Sequence, residues 1–513
     1  VSQTLIAALQ NPALYPHPVT AFNVIETHIS WVILTGEYAY KIKKPVNFGF
    51  LDFTEAEARG HFCREELRLN QRLTQGLYLD VLPITGTAEA PQIGGTGPAF
   101  DYAIKMREFP QNQLLSEIEK RGELTEQHID ALAEQIARFH MSAPLVDATN
   151  ELGSPESVMA PVRQNFEQIR PLLEHSKDLA QLDHLEAWAE EHFARLQPLF
   201  EQRKAEGFIR ECHGDIYLAN VTQLDGQVVL FDCIEFNEPF RMTDVIADTA
   251  FLAMDLEDRN HKTLARRFIN AYFEMTGDYT GLHVLPFYKA YRAMVRAKVS
   301  LFQYSQAADP IQKAEILERY RNYAALAESY CAIPYCMLTI THGVSAVGKS
   351  SVALKLVEAL GAIRIRSDVE RKRLTQNTAL ETLYSAEAGH ATYARLHELA
   401  AEVLKAGYPV VLDATYLRHE QRQAAATVAE RAAVPFLILD CHAPDAVIAQ
   451  WLAERQAEGR DPSDATLAVI QTQQQGREAL TEQEKVRTRS LDMTDPASLD
   501  VLVKIMQEKL PVN

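Results

Sequence analysis

Two short stretches of the chain carry residues whose types and spacing suit the handling of phosphate. Residues 343–350 read GVSAVGKS, the spacing G-x-x-x-x-G-K-[ST] of a phosphate-binding loop. Glycines let such a loop bend until successive N–H groups point inward, and the helix that starts there adds positive potential, so the loop favours an anion. Lys349 is placed to reach the β- and γ-phosphates of a nucleotide, and Ser350 to hold Mg2+. Gly343, Ser345, Ala346, Val347, Gly348 and Ser351 complete the candidate cradle. The second stretch, 212–220, reads CHGDIYLAN. An Asp five residues before an Asn lets the acid take the proton of an acceptor hydroxyl while the amide meets a metal ion. Here these are Asp215 and Asn220, and twelve residues on, the run VVLFD ends in Asp232, a second candidate Mg2+ ligand.

Each stretch needs elements that aim it. An apolar run, 337–341, precedes the first loop and a helical run, 352–360, lies beyond it, the strand-loop-helix order such a loop requires. Strands at 363–365, 410–412 and 436–439 then alternate with helices at 391–406, 419–432, 445–459 and 499–510, which predicts a parallel sheet covered by helices on both faces. Asp368, in RIRSDVERKR, stands at the end of the second strand and is a candidate general base. Asp413 ends the strand VVLD, the place of a Mg2+-holding acid. Arg455 and Arg460 lie in LAERQAEGRDPSDAT, whose charges and turn residues suit a lid closing over a γ-phosphate. Arg373, at the end of the basic run, reads as a solvated helix charge.

Ahead of the second stretch the chain alternates like a sheet, with strands at 22–28, 30–34 and 38–43, a helix over 53–74 and a further strand over 100–109. Tyr38-Ala39-Tyr40-Lys41 sets Ala39 and Lys41 on one face, where the lysine could meet a nucleotide; Lys43 shares that face. Glu65 or Glu66 on the following helix is the candidate partner. Helices follow at 125–141, 162–173, 179–205, 244–256, 266–276 and 286–330. The expected division is a sheet-rich lobe 1–109, a helical lobe 110–332, a break at Pro334, and a third domain 335–513.

At 513 residues the chain is too long for one core, and 47% hydrophobic with 23% charged residues describes a globular protein. No run is long and apolar enough for a membrane span, and the opening VSQTLIAALQNPALYP lacks the pattern of a secretion signal, so a cytoplasmic location is expected. Six scattered cysteines without metal spacing read as thiols. The net charge of −18 is uneven: from Tyr335 onward 20 basic residues face 23 acidic ones, leaving 31 against 46 before it. An acidic front part disfavours a polyanion groove there.

Taken in order, HGDIYLAN and the following Asp232 resemble the aminoglycoside phosphotransferase family of small-molecule kinases, over about residues 19–330. The resemblance implies a hinge near Met106-Arg107-Glu108 holding adenine, Asp215 as base, Asn220 and Asp232 on Mg2+, and Asp248 as a structural acid behind the loop. The turn 26–30, where a nucleotide-covering loop belongs, has no glycine. The set GVSAVGKS, RSDVERKRL and VVLDAT resembles the P-loop kinases that include gluconate kinase, chloramphenicol phosphotransferase, zeta toxins and the kinase half of polynucleotide kinases. Ala346 stands where many of these carry glycine, which is sterically acceptable if its φ stays negative. The whole order is similar to bacterial proteins described as bifunctional aminoglycoside phosphotransferase/ATP-binding proteins.

The expectation is therefore a multidomain α+β and α/β chain, with a bilobal protein-kinase-like domain before a P-loop NTPase domain. It would use ATP and Mg2+ at two sites, each transferring a γ-phosphoryl group to a small-molecule or nucleotide-like hydroxyl. Two other readings stay open. The P-loop part could act on nucleic-acid ends or a nucleotide sugar with the front part serving recognition, or the front part could be an ATP-binding regulatory module.

Overall fold

The computed structural model describes residues 3–49, 51–304, 307, 309–332, 335–374, 385–458 and 465–509, without the side chains of 386, 455, 456, 458 and 509. The chain divides into two compact units, 1–171 with 189–255, and 172–188 with 256–513.

In the first unit β1 (Asn23–Glu26), β2 (Ser30–Leu34), β3 (Tyr38–Lys43), β4 (Tyr78–Gly86), β5 (Pro91–Ile93) and β6 (Asp101–Arg107) form an antiparallel sheet in the order β1-β2-β3-β6-β4-β5. Their aromatic and β-branched residues suit a pleated, half-buried surface. Strand β4 has no counterpart in the sequence reading, because Pro83 and the polar Asp80 break its alternation. The Glu108 carboxylate fastens the β2–β3 turn, accepting from Thr35 N (2.9 Å) and Gly36 N (2.7 Å).

Helix α1 (Ala56–Gln71) buries Arg59, Gly60, Cys63, Glu66 and Asn70, a stripe at three- and four-residue intervals. Gly60 is required on that stripe, since a Cβ there would lie 2.5 Å from the Tyr102 ring. Farther on come α2 (Glu126–Ser142), β7 (Ile209–Glu211), the hairpin β8 (Val221–Leu224) with β9 (Gln227–Leu230), β10 (Met242–Asp244), which pairs with β7, and α3 (Val245–Asp258).

The second unit begins with helices α4 (Lys262–Thr276), α5 (Leu285–Phe302) and α6 (Pro310–Ser329). The expected single helix over 286–330 is two, because Asp309 caps a new start at Pro310, its carboxylate accepting from Ile311 N at 3.0 Å. Strands β11 (Leu338–His342), β12 (Ile363–Arg366), β13 (Val410–Asp413), β14 (Phe436–His442) and β15 (Thr488–Asp492) follow, all parallel, in the order β12-β13-β11-β14-β15.

The helices that serve this sheet are α7 (Lys349–Leu360), α8 (Ser367–Leu374), α9 (Ala386–Lys405), α10 (His419–Arg431), α11 (Asp445–Glu458), α12 (Leu467–Gln475) and α13 (Pro496–Lys509). Val347, Val352, Leu356, Val411 and Leu439 are buried together at its centre. Edge strand β12 is covered: Asn270 on α4 accepts from Arg364 N at 2.7 Å, and Glu274 accepts from the Arg364 guanidinium at 2.9 Å. Pro334 lies outside the described residues.

Candidate functional sites

In the first unit Lys41 and Lys43, two residues apart on β3, point to one face and meet on Glu66. Lys41 Nζ donates to Glu66 Oε1 at 2.7 Å and Lys43 Nζ to Glu66 Oε2 at 2.6 Å. Lys41 also reaches Asp232 Oδ1 at 2.5 Å, whereas Lys43 pairs with Glu235. Glu66 is on the buried stripe of α1; Glu65, off it, pairs with Arg68. Burial opposes the charge of Asp232, but Lys41 outweighs it and holds the carboxyl below its usual range. Burial likewise works against charged Lys41, and Asp232 and Glu66 reverse the effect. Burial raises the Glu235 carboxyl despite Lys43.

The loop 212–220 is braced from behind. Asp248 on α3 accepts from His213 N and Gly214 N, both at 2.8 Å, and stands 3.3 Å from His140 Nε2 on α2. Asp255, two turns on, accepts from Leu218 N at 3.0 Å. His213 Nε2 meets Phe231 O at 2.9 Å while its Nδ1 accepts from Asp215 N at 3.2 Å, so Nε2 bears the proton. Burial pushes this imidazole down, toward the neutral form that pattern needs. Asn220 Nδ2 donates to Asp215 Oδ2 at 2.9 Å. Asp232 adopts a left-handed backbone, φ 66°, and its N–H donates to Tyr78 Oη at 3.2 Å. Lys41, Glu66 and Asp232 thus form one group and Asp215 with Asn220 another, linked through Phe231.

Met106 is buried in the core with Ala39, Cys63 and Tyr78. The Glu108 N–H beyond it donates to Glu37 O at 3.0 Å. In the turn after β1, Ile29 N and Ser30 N both donate to Thr27 Oγ1. The Thr27 hydroxyl thus occupies two amides of this turn.

In the second unit the loop between β11 and α7 borders a cavity of about 800 Å3. Ser345, Ala346, Gly348, Lys349, Ser350 and Ser351 line it from the loop, and Arg366, Asp368, Arg371 and Asp413 from β12, α8 and β13. Val347 is a core residue instead, 1% exposed. Gly343 has φ 137°, and a Cβ there would meet Cys441 O at 2.6 Å, so no other residue fits. The condition set for Ala346 fails: its φ is +63°, left-handed, as the loop's inward turn demands. Lys349 Nζ donates to Val344 O at 2.7 Å. Asp413 is 5% exposed, and its Oδ2 has no hydrogen-bond partner among the described residues; Arg366 Nε is 3.7 Å away. Asp368 lies just past the strand end, as the second residue of α8, and pairs with Arg371 at 3.0 Å.

Several participants escaped the sequence. Gln473 on α12 accepts from Ser345 N at 2.8 Å and donates to Ser345 Oγ at 3.0 Å; its surroundings, QTQQQGRE, have no periodic signal. Tyr393 on α9 lines the cavity and bonds Thr415 Oγ1 at 3.1 Å. Arg373 is not solvated: it pairs with Glu370 and donates to Glu274 O at 2.7 Å. Glu274, which also holds Arg364, is 90 residues away in sequence and so gave no local sign. Arg460, and the Arg455 side chain, lie outside the described residues.

Family profiles match both parts: "Phosphotransferase enzyme family" over residues 63–285 and "AAA domain" over 338–480. Among solved structures, aminoglycoside 2'-phosphotransferase-IIIa is 13% identical, with a TM-score of 0.38, covering 63% of this chain and 99% of that one. A gluconokinase from Sinorhizobium meliloti 1021 is 22% identical, with a TM-score of 0.25, covering 34% and 98%. The fold is a kinase-like phosphotransferase fold followed by a P-loop domain with a parallel sheet. Among the described residues no helix is long and apolar enough to cross a membrane. "Uncharacterized protein Rv2004c" of Mycobacterium tuberculosis (strain ATCC 25618 / H37Rv) and "Uncharacterized protein Mb2027c" of Mycobacterium bovis are each 31% identical over 474 residues, covering 89% of this chain and 92% of theirs. The chain belongs to the family of these mycobacterial proteins, and, with a phosphotransferase-enzyme segment joined to a P-loop segment, it is an ATP-dependent phosphotransferase.

Proposed function

We propose that the chain is a tandem kinase of the cytoplasm, with one ATP–Mg2+ site in each part, each passing a γ-phosphoryl group to a hydroxyl of a small-molecule or nucleotide-like acceptor. The observation that carries this reading is the 800 Å3 cavity, where a phosphate loop, a candidate base and a strand-end acid converge. Its residues fit a metal ion: Asp413 Oδ2 is buried without a hydrogen-bond partner among the described residues, and Ser350 borders the same space. Bound there, Mg2+ supplies charge neutralisation to the β- and γ-phosphates.

The chain's own residues supply the rest. Lys349 exchanges its contact with Val344 O for a phosphate oxygen, and the loop amides hold the chain of phosphates. Asp368 takes the acceptor hydroxyl's proton, and Arg371, 3.0 Å from it, orients the carboxylate. Arg366 and Arg371 give the acceptor end of the cavity a cationic wall, suited to an acceptor that carries negative charge. In the first unit Asp215 would serve as base, Asn220 and Asp232 would hold a metal ion through their side-chain oxygens, and Lys41, placed by Glu66, would take phosphate.

A second reading has its own support: Thr27 uses the amides of the turn after β1, and Lys41 is bonded to Asp232. On that reading the first unit binds and recognises while the P-loop part transfers phosphate. ATP-dependent phosphate incorporation into panels of metabolites and oligonucleotides, measured with Asp215→Asn and Lys349→Ala separately, decides. Tandem transfer requires each variant to lose a different set of products. Loss of every product in Lys349→Ala and of none in Asp215→Asn sinks it.

A further inference from the structure

The second unit holds another cavity, about 230 Å3, bounded by α4, α5 and α6 and by the connections that follow α7 and α9. Three cations border it: Lys262 and Arg266, one turn apart on α4, and Lys289 on α5. Glu257 is the single carboxylate among its described lining residues, and it is already shared, held by Lys289 at 2.7 Å and by the Tyr330 hydroxyl at 2.5 Å. Arg266 Nη1 donates to Glu358 O (3.1 Å) and Ala359 O (2.8 Å), the last carbonyls of α7, which leaves its Nε and Nη2 for the cavity. Lys262 has no ion-pair partner and the Tyr408 hydroxyl no hydrogen-bond partner among the described residues.

The charges do not balance. Burial pushes the Lys289 ammonium down even though Glu257 opposes it, and Arg266 and Lys262 push it further. Burial lowers the Arg266 guanidinium as well. Partly desolvated cations in excess of their counter-charge are stabilised by an anion that enters with them. Glu257 neutralises Lys289, and the α7 carbonyls bind Arg266 without cancelling its charge, so the surplus rests on Arg266 and on Lys262, which is exposed at the cavity's edge.

We propose that this cavity binds a small oxyanion of the phosphate class, held by Lys262, Lys289 and Arg266 and by the hydroxyl of Tyr408. Its volume is below the roughly 300–1,000 Å3 of drug- and cofactor-sized pockets, and it suits a phosphate group rather than a nucleotide. The site is distinct from the phosphate loop and does not depend on either reading of the transfer reaction.

The test uses the full chain carrying Lys349→Ala, which silences the phosphate loop, titrated with inorganic phosphate against chloride at matched ionic strength and followed by calorimetry and thermal shift. Saturable binding of one phosphate per chain is expected. Adding Lys262→Glu, an exposed position on α4, weakens it at least tenfold, and Tyr408→Phe weakens it two- to fivefold. The absence of saturable binding in the Lys349→Ala chain, or an unchanged affinity in both added variants, overturns the proposal.

Discussion

Ala346→Gly should stabilise the protein, against the usual direction of an alanine-to-glycine change. At φ +63° the Ala346 Cβ crowds the backbone, a conformation that costs an L-residue about 1–2 kcal/mol. Glycine removes that cost but gives the unfolded chain more freedom, worth roughly 0.4–1 kcal/mol. The difference is a net stabilisation of about 0.5–1 kcal/mol, or about 1–3 °C in the midpoint of a cooperative unit of this size. Calorimetric unfolding of the full chain measures it. ATP added with a chelator identifies the transition that contains the phosphate loop: a ligand of the native state raises the midpoint of the unit it binds, and that rise should vanish in Lys349→Ala. Gly348→Ala is the matching control: φ is +94°, a Cβ would stand 2.8 Å from Met493 Cε, and the same transition should fall. A midpoint that drops or stays fixed in Ala346→Gly would refute the left-handed turn and the strain assigned to it.

Lys41 and Lys43 should separate into function and stability. Lys43→Met leaves Glu235 buried without its cation and Glu66 with Lys41 alone, and should cost about 3 kcal/mol or more in urea unfolding, whereas Lys41→Met should act chiefly on phosphate transfer by the first unit; equal stability loss in both would contradict the assignment. Gln473→Ala frees Ser345 N–H from a protein acceptor, and ATP should bind about fivefold more tightly, the worth of one hydrogen bond of about 1 kcal/mol; weaker binding in a nucleotide titration would show that Gln473 supports the loop instead. Burial works against charge at Glu484, yet hydrogen bonds from Arg422 and Thr481 N hold its carboxyl at about 2. A depressed carboxyl stabilises the fold above its unfolded value, near 4.5, and that stability disappears as pH falls through about 2. Glu484→Gln should therefore lose roughly 1–2 kcal/mol at pH 7, after allowance for solvent screening, and show a flatter acid-unfolding profile between those values; an unchanged profile would remove Glu484 from acid stability.

The parts of the fold legible in sequence were those with a local period or a local motif. Strands β2 and β3 show alternation, and β11 to β14 are short apolar runs separated by helices, so the parallel sheet follows from their order. The choice of Glu66 over Glu65 was not legible, because it depends on which face of α1 meets the sheet, and that face is fixed by Gly60 against Tyr102. Strand β15 has a single apolar residue, Leu491, and α12 has its apolar residues in one run, 467–470, without helical spacing, and with α12 went Gln473. The basic run 364–373 looked like one feature, yet packing gives its members different duties. Arg364 and Arg373 anchor α4 to the sheet edge, while Arg366 and Arg371 face the cavity. Sequence shows the charges, and only the partners, some 90 residues away, show what they neutralise.

The two candidate sites differ in charge, and the difference predicts how each meets its nucleotide. In the first unit two cations, Lys41 and Lys43, stand among three acids, Glu66, Asp232 and Glu235, so the cluster has a net charge near −1. An approaching phosphate meets that negative charge, and it must compete with Asp232, half-exposed, for Lys41, which stays bonded to Glu66. A divalent cation reverses the sign and gives Asp232 a new partner. In the second unit Lys349, Arg366 and Arg371 outnumber Asp368 and Asp413, and the cavity is cationic before any metal enters. ATP in the presence of a chelator should therefore bind one site per chain, and Lys349→Ala should abolish that binding. With Mg2+ two sites should be counted, and Lys349→Ala should leave one. Two chelator-resistant sites, or a chelator-resistant site that survives Lys349→Ala, would show that the charge of these clusters does not govern nucleotide entry.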